Sequence, residues 1–186
     1  MTGGAGEPSV TPQEVLGFWF LETPPEKWFK RDEAFDLEIR QRFGALHAGL
    51  SEHVPDGWLG TRDGVLAAII VLDQFSRNLH RGDGRAFAND RDALNLALLA
   101  MERGWAHEYP ERRRAFLYLP FMHCEDMRAQ DRSVELFGEI GGENLEFAEM
   151  HRDVIAKFGR FPGRNASLGR ESTPEEQRYL DEGGGF

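Results

Sequence analysis

Two arginine–asparagine pairs carry the clearest chemistry in this 186-residue chain. The first lies in Leu72-Asp73-Gln74-Phe75-Ser76-Arg77-Asn78 and is followed by Arg81. The second lies in Arg160-Phe161-Pro162-Gly163-Arg164-Asn165 and is followed by Arg170. A guanidinium presents a planar fork of donors that matches a carboxylate or a phosphate. Arg77, Arg81, Arg160, Arg164 and Arg170 are therefore candidate anion ligands, with Asp73, Gln74, Asn78 and Asn165 holding them in place. The structural alternative is an internal network: Asp73 and Arg77 are one helical turn apart and can neutralise each other. Convergence of the two segments in space would make a cleft for a substrate with one or more negative charges.

Imidazoles and carboxylates supply a second chemistry. His123-Cys124-Glu125-Asp126 and His151-Arg152-Asp153 offer a general base, with His123 or His151 in that role and Glu125 assisting. On a helix His123 and Glu125 point about 200° apart and make poor joint ligands. No HExxH or paired-His motif occurs, so no metal site is expected. His151 falls on the apolar stripe of its helix, where a hydrogen-bonded core histidine is the plainer reading. Cys124 reads as a small buried hydrophobe, and Trp19, Trp28, Trp58 and Trp105 as packing residues. No glycine-rich phosphate loop follows a strand, so no nucleotide cofactor is expected, nor any other.

The elements that must position these residues are all helical. Thr11-Pro12-Gln13-Glu14 is a capping box with proline at the first helical position, introducing the apolar VLGFWF. Asp32 caps a second helix in which Phe35, Ile39, Phe43, Leu46 and Leu50 share a face. Thr61 starts a third, apolar on every side from Val65 to Leu72, as a helix surrounded by others must be. A fourth runs from Arg91 to Arg103 with Leu94, Leu98 and Met101 inward and Gly104 ending it. Glu111 to Met127 contains Pro120, which predicts a break near Leu119. Helices follow at 128–137 and 144–158, the latter burying Phe147, His151, Val154 and Phe158. Thr173-Pro174-Glu175-Glu176 is a second capping box opening a short terminal helix. The expectation is an all-α domain over residues 1–186, of about eight helices packed as antiparallel pairs, with flexible ends at 1–10 and 183–186. No fixed repeat period supports a regular solenoid.

Charge and composition narrow the function further. Residues 151–170 carry +4, from five basic residues against Asp153, so the rest of the chain carries −14 of the net −10. A surface so acidic repels a phosphate backbone, which argues against nucleic acid as partner. The single cysteine excludes an intramolecular disulfide and fits a reducing, cytoplasmic setting. The N-terminus lacks a signal-peptide pattern and the longest aliphatic run is too short for a bilayer, so no membrane is expected.

Taken together, FWF (18–20), KWFKRDEAFD (27–36), IIVLDQFSRNLHRG (69–82), AFANDRDAL (86–94), FLYLPFMHCED (116–126) and HRDVIAKFGRFPGRNASLGRESTPEE (151–176) form a specific set. With them the chain resembles the bacterial family known as domain of unknown function 924, over nearly its whole length. That resemblance implies an all-helical fold similar to tetratricopeptide-repeat proteins with degenerate repeats, and an unassigned activity. Family members usually read DQFPRN and FGRFPHRN where this chain has Ser76 and Gly163, and often serine in place of Cys124. The change at Gly163 removes a histidine and leaves the arginines intact. Three readings stand. The preferred one is a non-catalytic helical module binding an anionic small molecule or peptide carboxylate through the arginines. The second is a hydrolase or transferase acting on a phosphate- or carboxylate-bearing substrate, which needs an imidazole within reach of a carboxylate beside the arginines. The third is a structural or interaction protein working through an outer surface or a homodimer.

Overall fold

The computed structural model describes residues 10–185, and among these every regular element is helical. The expected flexibility of residues 1–9 and 186 lies outside the described residues. Helix α1 (Pro12–Gly17) starts at the Thr11 capping box, in which the Glu14 carboxylate accepts the Thr11 amide at 2.7 Å. It runs directly into a π-helical turn, Phe18–Glu22, that buries Phe18, Trp19 and Phe20. Trp19 and Phe20 meet Phe116 edge to face, Trp19 stacks on Trp28, and the Trp28 indole donates to the Trp19 carbonyl at 3.0 Å. Asp32 caps α2 (Glu33–Glu52) through the Ala34 and Phe35 amides, and the expected stripe from Phe35 to Leu50 is buried together with His47.

A short α3 (Asp56–Leu59) precedes the central rod. This begins as α4 (Arg62–Ile69), capped by Thr61, widens into a π-helical segment at Ile70–Phe75, and ends as α5 (Ser76–Leu79). Every residue from Gly64 to Ser76 is buried. A β-carbon at Gly64 would lie 2.2 Å from the Trp58 carbonyl oxygen, so only glycine lets the rod start this close to α3. Sequence stripes of leucine mislead about α6 (Asp90–Glu102). Its inward face is Ala93, Leu96, Ala97 and Ala100, whose small side chains bring α6 against α4, while Leu98 is 48% exposed. Gly104 ends this helix at φ 71°.

The expected break at Leu119 does not occur, since α7 runs unbroken from Glu111 to Met122 with Pro120 inside it. Proline there forfeits one backbone hydrogen bond near the helix end. Burial of Phe116 through Met122 on all sides offsets that loss. Connections of a few residues then turn the chain back into α8 (Met127–Gly138), capped by Asp126, and α9 (Gly142–Phe158), which pack as antiparallel neighbours. On α9 the inward residues are Ala148, His151, Val154 and Ile155. Phe147, expected in the core, is 51% exposed. An arch at 159–173 leads to α10 (Pro174–Asp181), which carries the second capping box. No helix among the described residues is long and apolar enough to cross a membrane.

Candidate functional site

The π-helical segment sets the centre of the site. Its wider turn points Asp73 and Gln74 sideways from the rod while keeping both buried, Asp73 at 0% exposure. The C-terminal end of α7 brings His123 against them, 50 residues away in sequence. His123 Nδ1 donates to Asp73 Oδ1 at 2.7 Å. Gln74 Nε2 donates to the other carboxylate oxygen, and Arg77 Nη1 lies 3.1 Å from Oδ1. Burial alone would raise the Asp73 carboxyl. The Arg77 guanidinium and His123 outweigh it and hold the group well below the usual carboxylate range. Because an ionised carboxylate only accepts, the His123 proton is on Nδ1, and Nε2 has no hydrogen-bond partner among the described residues.

Asp90, at the first residue of α6, ties the arginines around this pair. It receives Arg77 through both oxygens, at 2.9 and 3.2 Å, and Arg164 Nη1 at 2.9 Å. Arg164 Nη2 in turn donates to the His123 backbone carbonyl at 2.9 Å. The imidazole is thus fixed from its ring by Asp73 and from its backbone by Arg164. The Phe87 ring lies between the two guanidiniums, 5.6 Å from Arg77 and 4.4 Å from Arg164. Burial lowers the Arg164 pKa and Asp90 works against that shift.

This cluster opens on a cavity of about 690 Å³. Arg31, Gln74, Arg77, Asn78, Arg81, His123, Glu143, Asn144 and His151 form its polar lining. Trp28, Phe29, Phe87, Leu119, Met122 and Phe147 form the apolar one. His151 donates Nδ1–H to the Phe147 carbonyl at 2.7 Å, and its ring lies 6.4 Å from that of His123. Burial, and then the nearness of His123, pushes the His151 pKa down to about 4, so this ring is neutral. Asp36 occupies Asn78 Nδ2 at 2.7 Å and takes Arg81 through Nε and Nη2.

Apart from Arg164, the second arginine segment is placed elsewhere. Arg160 pairs with Glu176, and Arg170 pairs with both oxygens of Glu125 at 2.7 and 2.9 Å. Asn165 links Arg170, Ser172 and Glu176. Glu125 also accepts the Phe161 amide, so it belongs to the arch and not to His123, whose carboxylate partner is Asp73. Arg160, Arg164, Asn165 and Arg170 do not line the larger cavity, and the two arginine segments meet at Asp90, which bonds both Arg77 and Arg164. A second cavity of about 680 Å³ shares His123 and Phe87 with the first and is lined by Arg164, Glu125 and Cys124. Burial raises the Cys124 thiol. Among the described residues no three His, Cys, Asp or Glu side chains converge as metal ligands.

Sequence reasoning overlooked Asp90, Asp36, Arg31, Phe29 and Phe87. The AFANDRDAL and KWFKRDEAFD blocks contain all five and were the available signal.

Comparison with known proteins agrees with this architecture. The sequence pattern of a family described as bacterial protein of unknown function (DUF924) matches residues 15–184. A solved structure of a protein of unknown function from Agrobacterium tumefaciens, ATU0120, superposes with a TM-score of 0.88. It is 43% identical, over 92% of this chain and 97% of that one. No curated protein matches the chain.

Proposed function

The chain belongs to DUF924, a family of bacterial proteins of unknown function, and we propose that its larger cavity is an acid–base site for a small organic anion. The observation that carries this reading is the buried carboxylate–imidazole pair, Asp73 to His123 at 2.7 Å, in which His123 lines the cavity and its second imidazole nitrogen has no hydrogen-bond partner among the described residues. In such a pair the carboxylate fixes the tautomer and stabilises the cation formed when Nε2 takes a proton. His123 is the general base, Asp73 its positioning partner, and Arg77 the charge that keeps Asp73 ionised. His151, neutral and close by, adds a second imidazole to the same wall.

Among the described residues no serine, threonine, cysteine or lysine lines the cavity, which favours attack by an activated water or removal of a substrate proton over a covalent intermediate. Simple anion binding by the sequence-highlighted arginines is less well supported. Arg77, Arg81, Arg160, Arg164 and Arg170 are each committed to an internal carboxylate. Outer-surface function has less support still, since none of the four tryptophans is exposed.

The test is a turnover screen of small carboxylate and phosphate esters, amides and hydroxy acids, run beside thermal-shift binding on the wild type and His123→Gln. The reading expects a substrate whose turnover falls by about 10²–10⁴-fold in the variant while binding persists. Turnover equal in the two proteins, or ligands that bind both alike and are never converted, would overturn it.

A further inference from the structure

The lining of the cavity is polar in a directional way, and on the acid–base reading above we infer that its substrate is an aromatic carboxylate with an O–H or N–H donor at the opposite end. Deep in the cavity two acceptors are uncommitted. Gln74 gives one Nε2 hydrogen to Asp73 and keeps Oε1, and His123 Nδ1 is spent on the same carboxylate, which leaves Nε2. A ligand head that donates satisfies Gln74 Oε1 or His123 Nε2, whereas a bare acceptor there would leave both unpaired.

Near the mouth the uncommitted atoms donate. Arg31 lines the cavity, is exposed, and makes no ion pair or hydrogen bond among the described residues. Arg81 is bound to Asp36 through Nε and Nη2, so its Nη1 remains available on the same lining. A carboxylate suits two such forks. Among the described residues Glu143 is the one carboxylate of the lining, and it tempers their charge without pairing with either. Between the two ends the walls are aromatic. Phe29 and Phe147, 72% and 51% exposed, both line the cavity, and Phe29 is held parallel to Phe116 at 6.0 Å. Rings left this open gain burial when a planar body enters between them.

Calorimetric titration with para-hydroxyphenylacetate, its neutral amide, and the para-methoxy acid that lacks the donor separates the three requirements. The hydroxy acid is expected to bind about tenfold more tightly than either relative, as for one charge-assisted hydrogen bond. Arg31→Gln, which breaks no internal contact and leaves Arg81 in place, narrows the margin of acid over amide and leaves the amide unchanged. Glu143→Gln widens that margin, and Phe147→Ala weakens all three probes. The margin of acid over amide shrinks between about 20 mM and about 500 mM salt. Equal affinity for acid and amide, a margin unchanged by Arg31→Gln, or no saturable binding by about 10 mM overturns the inference. The titration reads binding without turnover. A lost margin in a protein whose turnover depends on His123 refutes the substrate polarity alone. An intact margin beside normal turnover in His123→Gln refutes the acid–base reading alone.

Discussion

Exchanging Asp73 for asparagine is the most direct perturbation, because it keeps the side-chain shape and removes one buried charge. Three donors converge on that charge: His123 Nδ1, Gln74 Nε2 and Arg77 Nη1. Asparagine can accept from one side only, and its own amide then confronts a donor. Loss of one member of a buried ion pair costs about 3–5 kcal/mol, and Arg77 keeps Asp90, so the low end, about 3 kcal/mol, is expected. For a chain of this length that corresponds to a fall in Tm of roughly 6–12 °C. The pH dependence follows from the direction of the shift. Asp73 is held below its ordinary 3.8 in the folded protein, so the unfolded chain takes up the proton first as pH falls. The stabilisation is therefore complete above about pH 5 and declines below 3.8 by about 1.4 kcal/mol per unit. Urea unfolding of the wild type and Asp73→Asn should give the full gap at about pH 7 and one smaller by about 1 kcal/mol at about pH 3. Adding His123→Gln and the double variant completes a cycle, with an expected coupling of about 1.5 kcal/mol. A gap under about 1 kcal/mol that does not change with pH would mean that Asp73 is not the charge holding this cluster, and the positioning argument for His123 would fall with it.

Arg164→Ala strips Asp90 of one partner and the His123 carbonyl of its donor, and is expected to cost about 3 kcal/mol by chemical denaturation. It should also reduce turnover, because the His123 backbone is released. His47, bonded to Ser76 at 2.8 Å, is pushed down to about 4, first by burial and then by His80. The folded state thus resists a proton that the unfolded chain accepts near 6.5, so this contribution is present above 6.5 and lost as pH falls from 6.5 toward 4. His47→Gln should flatten the decline in stability across that window, by up to about 1.4 kcal/mol per unit, measured as Tm against pH.

Local signals in the sequence were reliable where the physics is local. The capping boxes at Thr11 and Thr173, the Asp32 cap and the central apolar run depend on neighbours within a few residues, and each marks an element of the structure. Faces were less legible. Leu98 and Phe147 read as core because they are large and apolar, yet α6 presents its alanines inward, and Phe147 lines a cavity that periodicity cannot reveal. Pro120 read as a break because an isolated helix would not tolerate it, whereas the packed end of α7 does. Within the site, Asp73, Gln74, Arg77, Asn78, Arg81, His123 and His151 were all visible as residue types. Their grouping was not, since His123 meets Asp73 across 50 residues and Arg164 meets Asp90 across 74. Arg31 went unnoticed because a single exposed arginine carries no pattern.

The widened turn at Ile70–Phe75 also governs which length changes this protein can accept. A π-helical segment holds one residue more than the α-helical turn it replaces, so a single deletion within it leaves a helix that closes cleanly. The residues downstream would keep their directions about the rod axis, because the wide turn itself takes up the extra residue, and what would change is the sideways presentation of Asp73 and Gln74 inside it. One lost codon in this segment is thus a change at the buried centre of the site at little expense to the helix, while one lost in the loop at Arg81–Asp83 displaces a turn. Chains that share this helical scaffold yet differ by one residue there would be expected to diverge in what they hold.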